Sequence, residues 1–96
     1  MSKRNGPTNK ELTALYEAIL RLQNTDECKK FFRDLCTIAE LKALSERFEV
    51  VKMLGQKTPY RAIAKETGSS TATITRIAHW LHHGKGGYKL MLERIK

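Results

Sequence analysis

Apolar side chains recur along most of the chain at the spacing of amphipathic helices. The first such stripe consists of Leu12, Leu15, Tyr16, Ile19 and Leu22. Thr8 opens this segment in a T-x-x-E capping box with Glu11, a typical start of a helix. The pattern predicts a first helix after Thr8 with one buried face.

Two further helices are predicted before residue 56. Thr25, followed by Asp26 and Glu27, has the pattern of an N-cap with acidic residues in the first turn, and the helix is expected to run to Leu35. Thr37 then begins a second T-x-x-E box, and the third helix is expected to end at Gly55. Its apolar stripe consists of Ile38, Leu41, Leu44, Phe48, Val51 and Leu54.

The remaining chain contains signals for three shorter helices. Thr58 and Pro59 predict a capping hydroxyl followed by proline at the first helical position, with the helix running to Thr67. After Gly68 a fifth helix is predicted from Thr71 to His83, and after the break at residues 84–87 a sixth from Tyr88 to Ile95. No segment alternates with period two for long, so the predicted fold is all-α with six helices and no sheet.

Residues 58–83 have the pattern of a helix-turn-helix, in which two short helices flank a tight turn. Gly68 can take the positive φ that such a turn requires. Ile63 of the first helix is expected to pack on the buried face of the second helix. That face consists of Ile74, Ile77, Ala78 and Leu81.

The opposite face of the second helix carries the residue types that read DNA. Thr71, Ala72, Thr75 and Arg76 are small, hydroxylated or basic, so the helix can enter the major groove and contact bases or phosphates. On the preceding helix, Arg61 and Lys65 stand at i and i+4, placed for the edge of the groove. The alternative is that both helices belong to an ordinary helical bundle.

Composition and charge agree with a small protein that binds polyanions. The 96 residues are predicted to form a single domain, 1–96, with 41% hydrophobic residues and a net charge of +8. Charge alone leaves nucleic acid, an anionic membrane surface and acidic proteins as candidate partners, or simply a basic surface. Residues 1–7 are expected to form a flexible basic tail in which Lys3 and Arg4 could touch phosphates.

Several other classes of function find little support in the sequence. Cys28 and Cys36 match no zinc or redox spacing and are expected to be buried small hydrophobes. His79 and His83 share a helical face, but no carboxylate or thiol stands beside them, so no metal site is predicted. No signal peptide or membrane-spanning run of about 18 residues is present, which predicts a cytoplasmic protein without a membrane partner. No catalytic residues are predicted, and the chain is not expected to be an enzyme.

Two stretches resemble a known family. ATITR (Ala72 to Arg76), preceded by R-x-I-A-K-E-x-G from Arg61 to Gly68, is similar to the DNA-binding region of the Trp repressor superfamily. The upstream stretch LCTIAELKALSERFEVVKML, from residue 35 to residue 54, resembles that family's central long helix. The similarity covers roughly residues 31–92 and points to the YerC/YecD-like branch of Gram-positive bacteria. It implies a Trp-repressor-like fold that forms an intertwined homodimer with one reading head per subunit.

The resemblance also implies roles for particular residues. Arg61 matches a base-contacting arginine, and residues 71–75 match the reading end of the recognition helix. The predicted DNA-binding residues are therefore Arg61, Lys65, Ser70, Thr71, Ala72, Thr73, Thr75 and Arg76. Thr37, Arg47 and Arg76 match positions that hold the amino-acid corepressor, with the two arginines flanking its indole.

Two positions of this corepressor-like pocket depart from the family pattern. One and four residues after Arg76, where the repressor has Gly and Ser, this chain has Ile77 and Trp80. Trp80 stands one turn after Arg76, so its own indole is expected to lie between Arg47 and Arg76 and fill the pocket. The alternative is that Trp80 packs into the core. Either arrangement predicts that free tryptophan is not needed. The predicted pocket consists of Thr37, Arg47, Arg76, Ile77 and Trp80.

These observations together predict a sequence-specific regulator of transcription, a repressor, that binds double-stranded DNA as a homodimer. A helical adaptor that binds protein or RNA is the alternative. No cofactor is predicted, and a small-molecule effector, if there is one, is not identified by the sequence.

Overall fold

The computed structural model describes residues 5–96, and Lys3 and Arg4 of the predicted basic tail lie outside this range. Residues 5–96 contain six helices and no strand, as predicted. The helices are α1 (Asn9–Leu20), α2 (Thr25–Leu35), α3 (Ile38–Gly55), α4 (Tyr60–Thr67), α5 (Thr71–His83) and α6 (Gly87–Arg94). Backbone contacts group the described residues through Ile38 into one compact unit and Ala39–Lys96 into a second.

Side-chain caps start the first two helices. The predicted capping box is present at α1, where Thr8 Oγ1 accepts a hydrogen bond from the Glu11 N–H and the Glu11 carboxylate accepts one from the Thr8 N–H. The predicted cap of α2 was wrong by one residue. Asn24 is the N-cap, since its side-chain oxygen accepts from the Glu27 N–H at 2.9 Å, and Thr25 is the first helical residue.

The boundaries of α4 and α6 also differ from prediction by one residue. Pro59 is the N-cap of α4, because its ψ of 144° is extended while its carbonyl accepts the first helical hydrogen bond, from the Ile63 N–H. Thr58 therefore precedes the cap and does not supply it. Helix α6 begins at Gly87, since Gly86 is the N-cap with a left-handed φ of 89°.

The core of the second unit joins the end of α3 to α4 and α5. Its buried side chains are Val50, Val51, Met53, Ile63, Ile74, Ile77, Ala78 and Leu81. The stripe predicted for α3 was only partly right. Ile38 and Leu44 are exposed, whereas Val50 and Met53 are buried, because apolar residues surround the C-terminal half of α3 and it is covered on more than one side.

The first unit has no comparable core. No described residue before Ala39 is fully buried, and Tyr16 and Leu20 of α1 are largely exposed. The stripe predicted to be buried on α1 is only half-buried in the single chain at Leu12, Leu15 and Ile19, and Leu22 lies beyond the end of α1. Cys28 and Cys36 are half-buried free thiols and not fully buried ones. In the described part of the chain, none of the helices is both long and apolar enough to cross a membrane.

Candidate nucleic-acid interface

The predicted helix-turn-helix is present as α4, a three-residue turn and α5. Ile63 and Ile74 are completely buried, and Ile77, Ala78 and Leu81 complete the predicted packing face of α5. Burying one such aliphatic side chain contributes roughly 1.5–3 kcal/mol. The pair of helices is therefore held by its apolar face, and the opposite face of α5 is left free.

The turn between the two helices is closed by local hydrogen bonds. Gly68 is the C-cap of α4, with a left-handed φ of 76°, and its N–H donates to the Ala64 carbonyl at 2.9 Å. The Thr67 hydroxyl donates to the Ile63 carbonyl at 2.7 Å and accepts from the Ser69 N–H at 3.2 Å. These contacts fix the direction in which α5 leaves the turn.

The free face of α5, which we call the reading face, consists of Thr71, Ala72, Thr75 and Arg76. All four side chains are exposed, as predicted, and none is larger than threonine except Arg76 at the end of the face. An α-helix with short side chains in its first turns fits the major groove of B-DNA, which is about 12 Å wide. The arrangement suits a recognition helix that enters the groove by its N-terminus.

Hydroxyl groups at the start of α5 are already engaged with one another. Ser70 is the N-cap, and its Oγ accepts from the Thr73 N–H at 3.1 Å and donates to the Thr73 hydroxyl at 3.0 Å. The Thr75 hydroxyl donates to the Thr71 carbonyl at 2.9 Å. Ser70 and Thr73 thus stabilise the start of the helix, whatever they contact beyond it.

Among the described residues, no ion pair involves a cation of the helix-turn-helix. Between Lys57 and Lys89 the chain has six lysines and arginines but a single acid, Glu66. Arg61 and Lys65 are exposed on α4. Ion pairs are found elsewhere, among them Lys30–Asp26, Lys42–Glu46, Lys52–Glu49 and Lys96–Glu93. The positive charge of the motif is therefore available to a polyanion.

The residues of the predicted corepressor-like pocket have different environments. Arg47 and Arg76 are exposed in the second unit, and Thr37 lies in the first unit, just before α3. Ile77 is buried in the core of the helix-turn-helix. The isoleucine therefore packs inward, so at this position the chain has a core side chain where the family pattern has glycine.

Trp80 occupies neither of the two places predicted for it. The residue is 56% exposed, and its ring stands edge-on to His79, with centroids 5.5 Å apart, and the described ring contacts include neither arginine. It does not share the core with Leu81, because positions 74, 77, 78 and 81 form the buried face and Trp80 is largely exposed. Trp80 instead lines an apolar hollow of about 420 Å³, the Trp80 hollow. The hollow is lined by Phe48, Trp80, Gly84, Lys85, Gly87, Tyr88 and Met91.

The histidines at the end of α5 lie close together. The rings of His79 and His83 are 5.0 Å apart between centroids, and both side chains are exposed. Within residues 5–96, no group of three or more histidine, cysteine or acidic side chains is placed to hold a metal ion.

A second hollow brings together basic residues that the sequence analysis did not connect. It has a volume of about 540 Å³ and lies where the α3–α4 turn, the end of α5 and α6 meet. We call it the cationic hollow. It is lined by Leu54, Gly55, Lys57, Thr58, Pro59, Tyr60, Leu81, His82 and Lys89. The sequence offers the scarcity of acids between Lys57 and Lys89 and the position of His82 near the end of the recognition helix, where it could contact a phosphate, but neither shows that these side chains converge.

Comparisons with known proteins agree with this geometry. A family model described as the Trp repressor protein matches residues 10–96. The chain is 46% identical over 87 residues to YerC of Bacillus subtilis, a protein of uncharacterized function, and the match covers 91% of this chain and 84% of YerC. Among solved structures, it is similar to a candidate Trp repressor of Staphylococcus aureus (43% identity, TM-score 0.86, 92% and 88% of the two chains). It is also similar to a TrpR-like protein of Eubacterium eligens (46% identity, TM-score 0.87, 91% and 90%).

Proposed function

Because this chain belongs to the Trp repressor family, we propose that it is a sequence-specific regulator of transcription that represses by binding double-stranded DNA. The observation that carries the proposal is the exposed reading face of α5, held by a buried core and flanked by unpaired cations. Such a protein works where the chromosome is, which in a bacterial cell is the cytoplasm.

DNA fits the reading face better than RNA or protein does. The groove of B-DNA that carries the full pattern of base donors and acceptors is wide enough for α5, whereas the corresponding groove of A-form RNA is deep and narrow. A protein-binding surface typically has exposed apolar anchors at its centre, and the reading face contains only Ala72 and threonine methyl groups. Arg61 and Arg76 add the side chain that most often pairs with guanine.

We propose that the active species is a homodimer. Large apolar side chains remain exposed on α1 and at the end of the chain, among them Tyr16 and Leu20 of α1, Met91 of α6 and Ile95 just after it, and the described first unit buries no side chain completely. Exposed apolar surface on this scale is typical of faces that a partner covers. A two-fold dimer would also set two recognition helices about 34–36 Å apart, the distance between successive major grooves.

The proposed regulator does not depend on free tryptophan. Ile77 fills space in the helix-turn-helix core at the position where the family pattern has glycine, and Trp80 replaces a serine hydroxyl with an indole. Both changes lie within one turn after Arg76, one of the arginines that would flank a bound indole, and they alter the chemistry of two positions of the corepressor-like pocket. Control of repression would then come from another effector, from a partner or from the amount of protein.

Selection of bound duplexes from a random pool, with and without added amino acids, tests this function directly. The expected result is enrichment of a short, two-fold symmetric sequence whose binding is unchanged by tryptophan. Binding without enrichment of any sequence would reduce the protein to a general DNA binder. A preference for structured RNA at equal salt, or no nucleic-acid binding at all, would overturn the proposal.

A further inference from the structure

We infer that the cationic hollow holds a phosphate of the DNA backbone and extends the DNA contact beyond the reading face of α5. The inference rests on the proposed function, because the phosphate belongs to the duplex that this function requires. The hollow shares no residue with the reading face, and its ligand would be the negatively charged backbone and not a base edge.

The fold builds the hollow from three separate segments. Lys57 comes from the turn between α3 and α4, His82 from the last turn of α5, and Lys89 from α6. Leu54 and Leu81 supply apolar walls next to these cationic and imidazole groups. Positive groups in a concave site with low-dielectric walls focus the electrostatic field inside the site. The hollow is therefore expected to bind an anion.

In the described part of the chain, no carboxylate neutralises the lysines of the hollow. No acidic residue lines it, and within residues 5–96 neither Lys57 nor Lys89 forms an ion pair. The contrast with Lys52 is informative. That lysine, near the end of α3, is paired with Glu49 at 3.0 Å. A lysine is a point charge that can approach any oxygen of a phosphate, and unpaired lysines facing one hollow suit this ligand.

The position of the hollow favours backbone phosphate over a free anion. Pro59 and Tyr60 of its lining directly precede Arg61, which is exposed on α4 as part of the proposed DNA-contacting surface. His82 belongs to the same helix as the reading face. Contacts of this kind carry no sequence information, but they fix the register and orientation of a protein on the duplex.

The test compares lysines inside and outside the hollow. Lys57→Asn and Lys89→Gln each remove one charge from it, and asparagine is chosen at position 57 because it tolerates the left-handed backbone found there, with φ of 62°. Lys85→Gln is the matched control, since Lys85 lines the Trp80 hollow and its loss lowers the net charge equally. Binding of a fluorescent duplex is measured by anisotropy over a range of KCl concentrations.

Loss of one phosphate contact lowers the slope of log affinity against log salt by about 0.9 for each bound protomer. For the proposed dimer, which loses two contacts, the slope falls by about 1.8, and with an unchanged affinity at 1 M salt binding is about 220-fold weaker at 50 mM and about 18-fold weaker at 200 mM. We expect these changes for Lys57→Asn and Lys89→Gln, on specific and random duplexes alike, and a much smaller change of slope for Lys85→Gln.

Equal slopes for all three variants would overturn the inference while leaving the proposed function intact. Failure of the wild-type protein to bind any duplex would instead count against the proposed function. If calorimetry showed that the wild type binds inorganic phosphate while the variants kept the wild-type slope on DNA, the hollow would be a site for a free anion. Circular dichroism checks the folding of each variant, and Lys57→Gly, which also accepts positive φ, replaces Lys57→Asn if that variant unfolds.

Discussion

The turn of the helix-turn-helix depends on Gly68, whose backbone has a left-handed conformation. Replacing this glycine can show whether a side chain is disfavoured there by backbone strain or by a steric clash. A Cβ atom at this position would meet no heavy atom within 4 Å, so Gly68→Ala introduces no collision. The φ of 76° is nevertheless unfavourable for alanine. We therefore expect Gly68→Ala to lower the free energy of unfolding by about 1–2 kcal/mol through backbone conformation alone.

Two further variants isolate the cause. Gly68→Asn should recover part of the loss, because asparagine tolerates the left-handed region better than alanine. Gly87→Ala is the matched control. A Cβ there also meets nothing within 4 Å, but Gly87 has no positive φ and lies at the start of α6, so this change should be neutral or stabilise by about 0.4–1 kcal/mol.

Thermal unfolding by circular dichroism, at one fixed protein concentration, measures all three effects. In a protein of this size 1 kcal/mol shifts the melting temperature by about 4–8 °C, so Gly68→Ala should lower it by about 4–16 °C. Equal losses for Gly68→Ala and Gly68→Asn would refute the argument from φ, because they would point to a clash. An unchanged melting temperature for Gly68→Ala would refute it as well.

Three other predictions follow from the interface and its surroundings. Arg61→Ala and Thr75→Ala should each weaken binding to the preferred duplex by about 1–3 kcal/mol and relax preference at one base pair, whereas equal small losses on specific and random duplexes would make them backbone contacts. Light scattering at micromolar concentration should give twice the chain mass of 11.0 kDa, and a monomeric mass that persists as concentration rises would contradict the proposed dimer. Calorimetry with L-tryptophan should show no binding, and micromolar binding that also tightens DNA binding would show that Ile77 and Trp80 leave the pocket open.

The helices and the reading face could be predicted because both depend on local sequence. Helical periodicity depends on neighbouring residues, and the capping signals at Thr8 and Gly68 lie next to the helix ends that they form. The errors at Thr25 and Pro59 were one residue in size, since neighbouring residues such as Asn24 compete for the same capping role. The reading face of α5 could be predicted because the spacing of the apolar residues identifies the buried face, and the reading face lies opposite.

Features that need several segments at once could not be predicted in this way. The cationic hollow joins residues from three elements, and no spacing in the sequence brings Lys57 and Lys89 together. The position of Trp80 depends on what surrounds the end of α5, where its ring stands edge-on to His79 and lines one hollow with residues of the loop before α6. The exposed apolar faces of α1 and α3 could not be predicted for the same reason. Apolar periodicity identifies a face that is to be buried, but it does not show whether the same chain or a partner chain covers that face.

The hydrogen bond between Thr75 and the preceding turn of α5 also determines which bases this side chain can serve. Because the Thr75 hydroxyl gives its proton to the Thr71 carbonyl, only lone pairs and a methyl group remain on its outward side. Toward a base edge it would act as an acceptor, suited to the amino group of adenine or cytosine, or as an apolar contact for the thymine methyl. Guanine offers only acceptors in the major groove, so at this position guanine would be disfavoured by the polarity of a hydrogen bond within the helix.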